Sequence, residues 1–109
     1  MIDPNIRSAY TLPSTFYRSE LNFMQLRERV YRRSWNFAGV MENTAANVVP
    51  LDLLPGFIDE PLVLTRDREG NTRCLSNVCT HRGNLLVEQA GDAKILTCRY
   101  HGRCFGLDG

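Results

Sequence analysis

The apolar residues Phe23, Leu26 and Val30 recur at helical spacing, and Met24 and Tyr31 widen the stripe. Ser19 is placed to cap this helix, with Glu20 in its first turn; Arg29, Arg32 and Arg33 crowd its end, where positive charge suits the macrodipole. The residues before it read as an extended arm. From Trp35 the period changes, and Trp35–Val40 alternates as a half-buried strand would. Pro50, Pro55 and Pro61 then cut the chain into short pieces and exclude a second long helix. Leu62–Thr65 reads as a strand, Asp67–Asn71 as a turn, Thr72–Val78 as the returning strand of a hairpin, and Lys94–Thr97 as another short strand. Phe105 to Gly109 reads as a strand entering an Asp-Gly turn, and a turn with no return strand leaves an open edge, so the expectation is the front part of a longer protein. The pattern predicts a mainly β fold, a small antiparallel domain at 35–109 with one N-terminal helix and an arm at 1–34.

A chain of 109 residues suits one hydrophobic core, and 43% hydrophobic with 23% charged residues is an ordinary globular composition. A net charge of +1 gives no electrostatic reason to expect a nucleic-acid or membrane-surface partner. No apolar run approaches a membrane span, and the first residues lack the basic start and apolar stretch of a secretory signal, which makes the cytoplasm the default compartment. Four cysteines are too few for a disulfide-built scaffold. Three of them, with both histidines, fall between Cys79 and Cys104.

Two segments, Cys79-Thr80-His81-Arg82-Gly83 and Cys98-Arg99-Tyr100-His101-Gly102, each offer one sulfur and one nitrogen ligand after a predicted strand. The glycines near each histidine let the backbone turn sharply around a bulky inorganic centre. In the Rieske form of a 2Fe-2S cluster two cysteines hold one iron and two histidines the other, and these two loops supply that set if each sends its sulfur and its nitrogen to different irons. Two ferric ions, two sulfides and two thiolates sum to zero charge, against −2 for a four-cysteine cluster. Adding an electron to the neutral centre costs less, which places the class at roughly −150 to +300 mV. A structural zinc module with the same four ligands fits less well, because zinc pairs usually hold two to four residues between ligands and Cys79-x-His81 has one.

The paired motifs resemble the Rieske domain of ring-hydroxylating oxygenase alpha subunits. Tyr17, Arg33-Ser34-Trp35 with Gly39, Thr65-Arg66-Asp67 with Gly70, and Ser76-Asn77-Val78 before Cys79 extend the likeness over almost the whole chain from Leu12. The resemblance implies that Cys79 and Cys98 bind one iron and His81 and His101 the other, with Arg82, Gly83, Tyr100, Gly102 and Arg103 around them. Arg103 stands where the family usually has tryptophan, and Arg99 where proline is common. Arg103 would either bring positive charge to the cluster, dock a carboxylate, or lie exposed on the surface. Arg82, Arg99 and Arg103 together would form a basic rim able to steer an acidic electron donor. In the respiratory-complex branch a disulfide ties the two loops; its cysteines would occupy the positions of Asn84 and Tyr100, so that bridge is absent, and Cys74 and Cys104 are expected to be reduced and partly buried.

By the same resemblance, a catalytic domain beyond residue 109 carries a mononuclear Fe(II) held by two histidines and a carboxylate. This chain has only two histidines, so it cannot supply that site as well as the cluster. The implied role is to take electrons from a reductase or ferredoxin and pass them to that iron within a homotrimer, with no hydroxylation by this part alone. A self-contained Rieske ferredoxin is the other reading; such carriers rarely have the arm and helix that precede Trp35.

Overall fold

The computed structural model describes residues 3–41 and 46–109. The chain forms two compact units, one ending at Asn36 and one running from Phe37 to Gly109, where composition suggests a single core.

The first unit is helical. Pro13 leads into α1 (Ser14–Arg18), so the arm is not extended throughout; the fixed φ of proline, −62° here, suits a helix start. Ser19, in extended conformation, separates α1 from α2 (Glu20–Arg29), and its Oγ accepts the Asn22 N–H at 3.2 Å, the cap expected from sequence. α2 stops at Arg29, and Tyr31–Arg33 form a 3-10 turn. Side chains close this end: Ser34 Oγ donates to the Val30 carbonyl at 2.7 Å and Asn36 Nδ2 to that of Tyr31 at 2.7 Å. Arg27 and Arg32 both grip Glu28, at 2.9 and 3.2 Å, so Arg32 is ion-paired and not simply solvated. The Arg27 hydrogen bond, then the charges of both arginines, holds the Glu28 carboxyl below its ordinary range. No described residue of this unit is buried, and Phe23, Met24, Val30 and Tyr31 are all exposed.

The predicted strand Trp35–Val40 does not form. Trp35 is 104% exposed, and Phe37 and Val40 are exposed too. Alternation supplies a face but no partner ladder, and Gly39 has φ +152°, a backbone state that side chains rarely adopt.

The second unit holds the β structure. β1 (Val48–Leu53), β2 (Glu60–Arg66) and β3 (Thr72–Ser76) form an antiparallel sheet in that order. β1 escapes the sequence reading because Pro50 breaks its pattern. It is an edge strand, where proline is tolerated, and Pro50 lies opposite Val63. β2 and β3 form the expected hairpin, with Leu64 opposite Cys74, although β3 ends at Ser76. A two-stranded ladder pairs β4 (Leu96–Thr97) with β5 (Cys104–Phe105), shorter than the Lys94–Thr97 expectation. Val48, Val63 and Leu96 make the buried core, with Leu75, Leu86, Val87, Phe105 and Leu107 packed on it, so the core joins the sheet to the β4–β5 ladder. The fully buried Thr65 hydroxyl adds a 2.7 Å bond to the Leu107 carbonyl.

The turn at Asp67–Asn71 is built on one carboxylate. Asp67 Oδ1 accepts the N–H groups of Glu69 and Asn71 at 3.0 and 2.8 Å, and Oδ2 takes Arg73 at 2.7 Å. The Arg73 guanidinium first, then Asn71, holds the Asp67 carboxyl far below the usual carboxylate range. A depressed carboxylate contributes stability that is fully present above the unfolded-chain pKa, about 3.9, and lost as pH falls toward the folded value. Thermal melts across a pH series should therefore show Tm falling as the medium is acidified below about pH 5. Asp67→Asn should lower Tm by a few degrees at neutral pH and make the acid decline shallower; parallel declines in the two proteins would assign the acid sensitivity elsewhere.

Candidate metal centre

The two cysteine loops share one hydrogen-bond frame. In the first, the Cys79 N–H bonds to the Asn84 carbonyl at 2.8 Å and the Gly83 N–H to the Cys79 carbonyl at 3.0 Å. In the second, the Cys98 N–H bonds to the Arg103 carbonyl at 2.8 Å and the Gly102 N–H to the Cys98 carbonyl at 2.9 Å. Residues just outside pair in the same way, Val78 with Leu85 and Thr97 with Cys104. Gly83 and Gly102 have φ of +72° and +71°, the left-handed state that lets each chain reverse. Counted from the cysteine, the frame puts His81 in the third slot of its loop and Tyr100 in the third slot of the other; Arg82 and His101 share the fourth. Aligning the sequence on Cys-x3-Gly, instead of on the histidines, would have found this equivalence.

Two asparagines hold the connecting segment. The buried Asn77 donates Nδ2–H to the Val87 carbonyl at 2.7 Å and accepts the Val87 N–H on Oδ1 at 2.9 Å. Asn47 does the same for Ala93, at 2.8 Å in each direction. Each side-chain amide replaces a strand neighbour, which satisfies a backbone that lies in no ladder. Sequence reasoning picks out Asn77 only as part of a resemblance and misses its clamp and Asn47 altogether, because the partners are far from the asparagines along the chain.

The frame separates sulfur from nitrogen. Cys79 and Cys98 are 2% and 3% exposed, whereas His81 and His101 are exposed. The Tyr100 N–H first, and then the Cys79 thiol, the His101 N–H and the Asn84 amide, draw the Cys98 thiol below its ordinary pKa, against the opposing effect of burial. The two imidazoles turn the same atom to each other, with His81 Nδ1 and His101 Nδ1 3.2 Å apart. Imidazole–metal bonds are about 2.0–2.1 Å, so two nitrogens on one metal, at angles from right to tetrahedral, lie about 2.9–3.4 Å apart. Among the described residues no three His, Cys, Asp or Glu side chains are placed to hold one metal ion. A single four-ligand zinc site therefore has no support, whereas a sulfur pair and a nitrogen pair on two irons need no such convergence.

A family model described as the Rieske 2Fe-2S domain matches residues 47–109. The chain belongs to this family. Its cofactor is the Rieske cluster, and the donor set fits it: two buried thiols, one drawn toward the thiolate, and two imidazole nitrogens at a separation that one iron can span. Choline monooxygenase of Spinacia oleracea is 31% identical over 98% of the chain and 24% of its own length. The carnitine monooxygenase oxygenase subunit of Escherichia coli K12 is 36% identical over 96% of the chain and 28% of its own length. Among solved structures, the quaternary ammonium Rieske monooxygenase CntA with γ-butyrobetaine matches at TM-score 0.72 and 32% identity, covering 93% of this chain and 29% of that one. Naphthalene 1,2-dioxygenase matches at TM-score 0.68 and 32% identity, covering 84% and 20%. The chain thus spans about a quarter of the length of the curated relatives it matches.

The remaining Rieske-loop residues fall as follows. Arg103 lies over the Phe105 ring, its guanidinium carbon 5.5 Å from the centroid, so it occupies a surface cation–π contact. Arg99 pairs with Glu88 at 3.5 Å, both exposed, and Arg82 is exposed with no hydrogen bond or ion pair among the described residues, so the rim is not three free charges. All four cysteines are free. Cys74 and Cys104 are exposed, not partly buried, and the Cys104 thiol donates to the Gly102 carbonyl at 3.3 Å.

Gly102→Ala should cost about 1–2 kcal/mol in denaturant unfolding, because alanine resists the left-handed state. Gly91→Ala, where an added Cβ meets nothing within 4 Å, is the control and should cost much less. Asn77→Ala should lose about 2 kcal/mol or more by stranding the Val87 N–H and carbonyl, and hydrogen exchange at Val87 should rise; unchanged exchange would count against the clamp.

Proposed function

We propose that Cys79 and Cys98 hold one iron of the cluster and His81 and His101 the other, and that the chain is the electron-transfer part of a Rieske oxygenase alpha subunit. The observation that carries this is the pair of equivalent loops with sulfurs buried and imidazole Nδ1 atoms face to face at 3.2 Å. The working division is an arm and helix at 1–34 and the Rieske domain at 35–109. When bound, the cluster takes up and releases one electron. The chain's own groups do the rest: the loop frame and its glycines fix where the donors stand, the cysteines' burial keeps water from the sulfurs, and the exposed imidazoles form the face that another protein reaches.

On this reading a reductase or ferredoxin supplies the electrons, and a mononuclear iron in a further domain of the subunit receives them. Electron transfer between subunits of a multimer is proposed, because one CntA structure is described in terms of inter-subunit electron transfer, and a homotrimer is the form that the family resemblance implies. Arg82 and Arg103 favour an acidic donor. Quaternary ammonium compounds are the substrate class to try first, since the relatives named for choline and carnitine align over nearly the whole chain. No helix among the described residues is long and apolar enough to cross a membrane, and the unpaired thiols of Cys74 and Cys104 suit the reducing cytoplasm, the compartment proposed.

The test is spectroscopic. Anaerobically purified chain should be coloured and give a Rieske EPR signal after reduction, and Cys79→Ser or Cys98→Ser should abolish both. Replacing His81 and His101 together by cysteine should lower the midpoint potential by several hundred mV, toward about −400 mV, the plant-type value. A colourless protein carrying zinc, or a potential indifferent to that double change, would overturn the ligand assignment.

A further inference from the structure

Tyr100 stands out beside the histidine pair. Its ring stacks on that of His101 with centroids 3.9 Å apart and planes 30° from parallel. Tyr100 is itself 55% exposed, so no packed core puts it there. In the shared loop frame it occupies the slot that the first loop gives to His81, while the residue sharing His101's slot is Arg82, which has no such contact. The His81 and His101 rings are 5.1 Å apart and tilted by 57°, and among the described residues no other ring lies against His81. The second torsion of a histidine side chain has a broad minimum, so an exposed imidazole does not hold its own plane. Offset stacking on an aromatic face restricts it.

We propose that Tyr100 is a positioning residue: its ring sets the plane of His101, so that Nδ1 stays turned to His81, and it makes the two histidines inequivalent. This rests on the ligand assignment given above. His101 is the braced imidazole and His81 the freer one. The feature that matters is the ring and not the hydroxyl, so phenylalanine should substitute and an aliphatic residue should not.

The test compares wild type, Tyr100→Phe and Tyr100→Leu, each as the full chain with its cluster reduced. Pulsed EPR should resolve two distinct nitrogen couplings in wild type and Tyr100→Phe; in Tyr100→Leu one should shift or broaden while the other stays. A Tyr100→Leu spectrum superimposable on wild type, or one in which both couplings move equally, overturns the proposal. Absence of nitrogen couplings in wild type instead overturns the ligand assignment, and the proposal with it. Should Tyr100→Leu fail to take up the cluster, the cluster-free chains decide. The His101 Hε1 resonance, shielded by the stacked ring, should move downfield in Tyr100→Leu and keep its place in Tyr100→Phe, with His81 unmoved in both. A His101 resonance that stays put overturns the proposal.

Discussion

A cysteine N–H held by the carbonyl five residues on, with a left-handed glycine between, is the constraint on which the site depends, and the chain uses it twice. Once that bond closes, the cysteine lies under the loop and its side chain goes inward, while the residues between are lifted into solvent. The burial of both sulfurs and the exposure of both imidazoles are consequences of the one frame. The loops differ in which lifted slot carries the histidine, and that one-position offset lets a repeated scaffold bring two rings together without making them equal.

The frame needs support on both flanks, and the core provides it. Leu96 and Phe105 lie opposite each other at the base of the second loop and both join the cluster around Val48 and Val63. The first loop is steadied by Asn77, which treats Val87 as a strand neighbour. Hydrophobic burial thus places the second loop and a buried amide the first, two different forces reaching the same geometry.

What the sequence made legible was local. Ser19 as a cap, the Asp67–Asn71 turn, the β2–β3 hairpin and the two cysteine–histidine loops all declare themselves within a few residues. Non-local features stayed hidden. β1 carries Pro50 and is a strand only because β2 lies beside it; Trp35–Val40 alternates well and has no pairing strand among the described residues, so it is none. The apolar stripe at Phe23, Met24 and Val30 predicts a covered face, and no described residue of that unit is buried. Within the site the residue types were readable, whereas the facing Nδ1 atoms, the Tyr100 stack and the resting place of Arg103 on Phe105 needed coordinates.

The contrast between sealed sulfurs and open imidazoles gives the domain a dry side and a wet side. On the ligand assignment proposed here, the loop frame shields the sulfur side of the site from water, while the imidazole side opens directly to it. The pair of imidazoles is thus a small window in an otherwise shielded site.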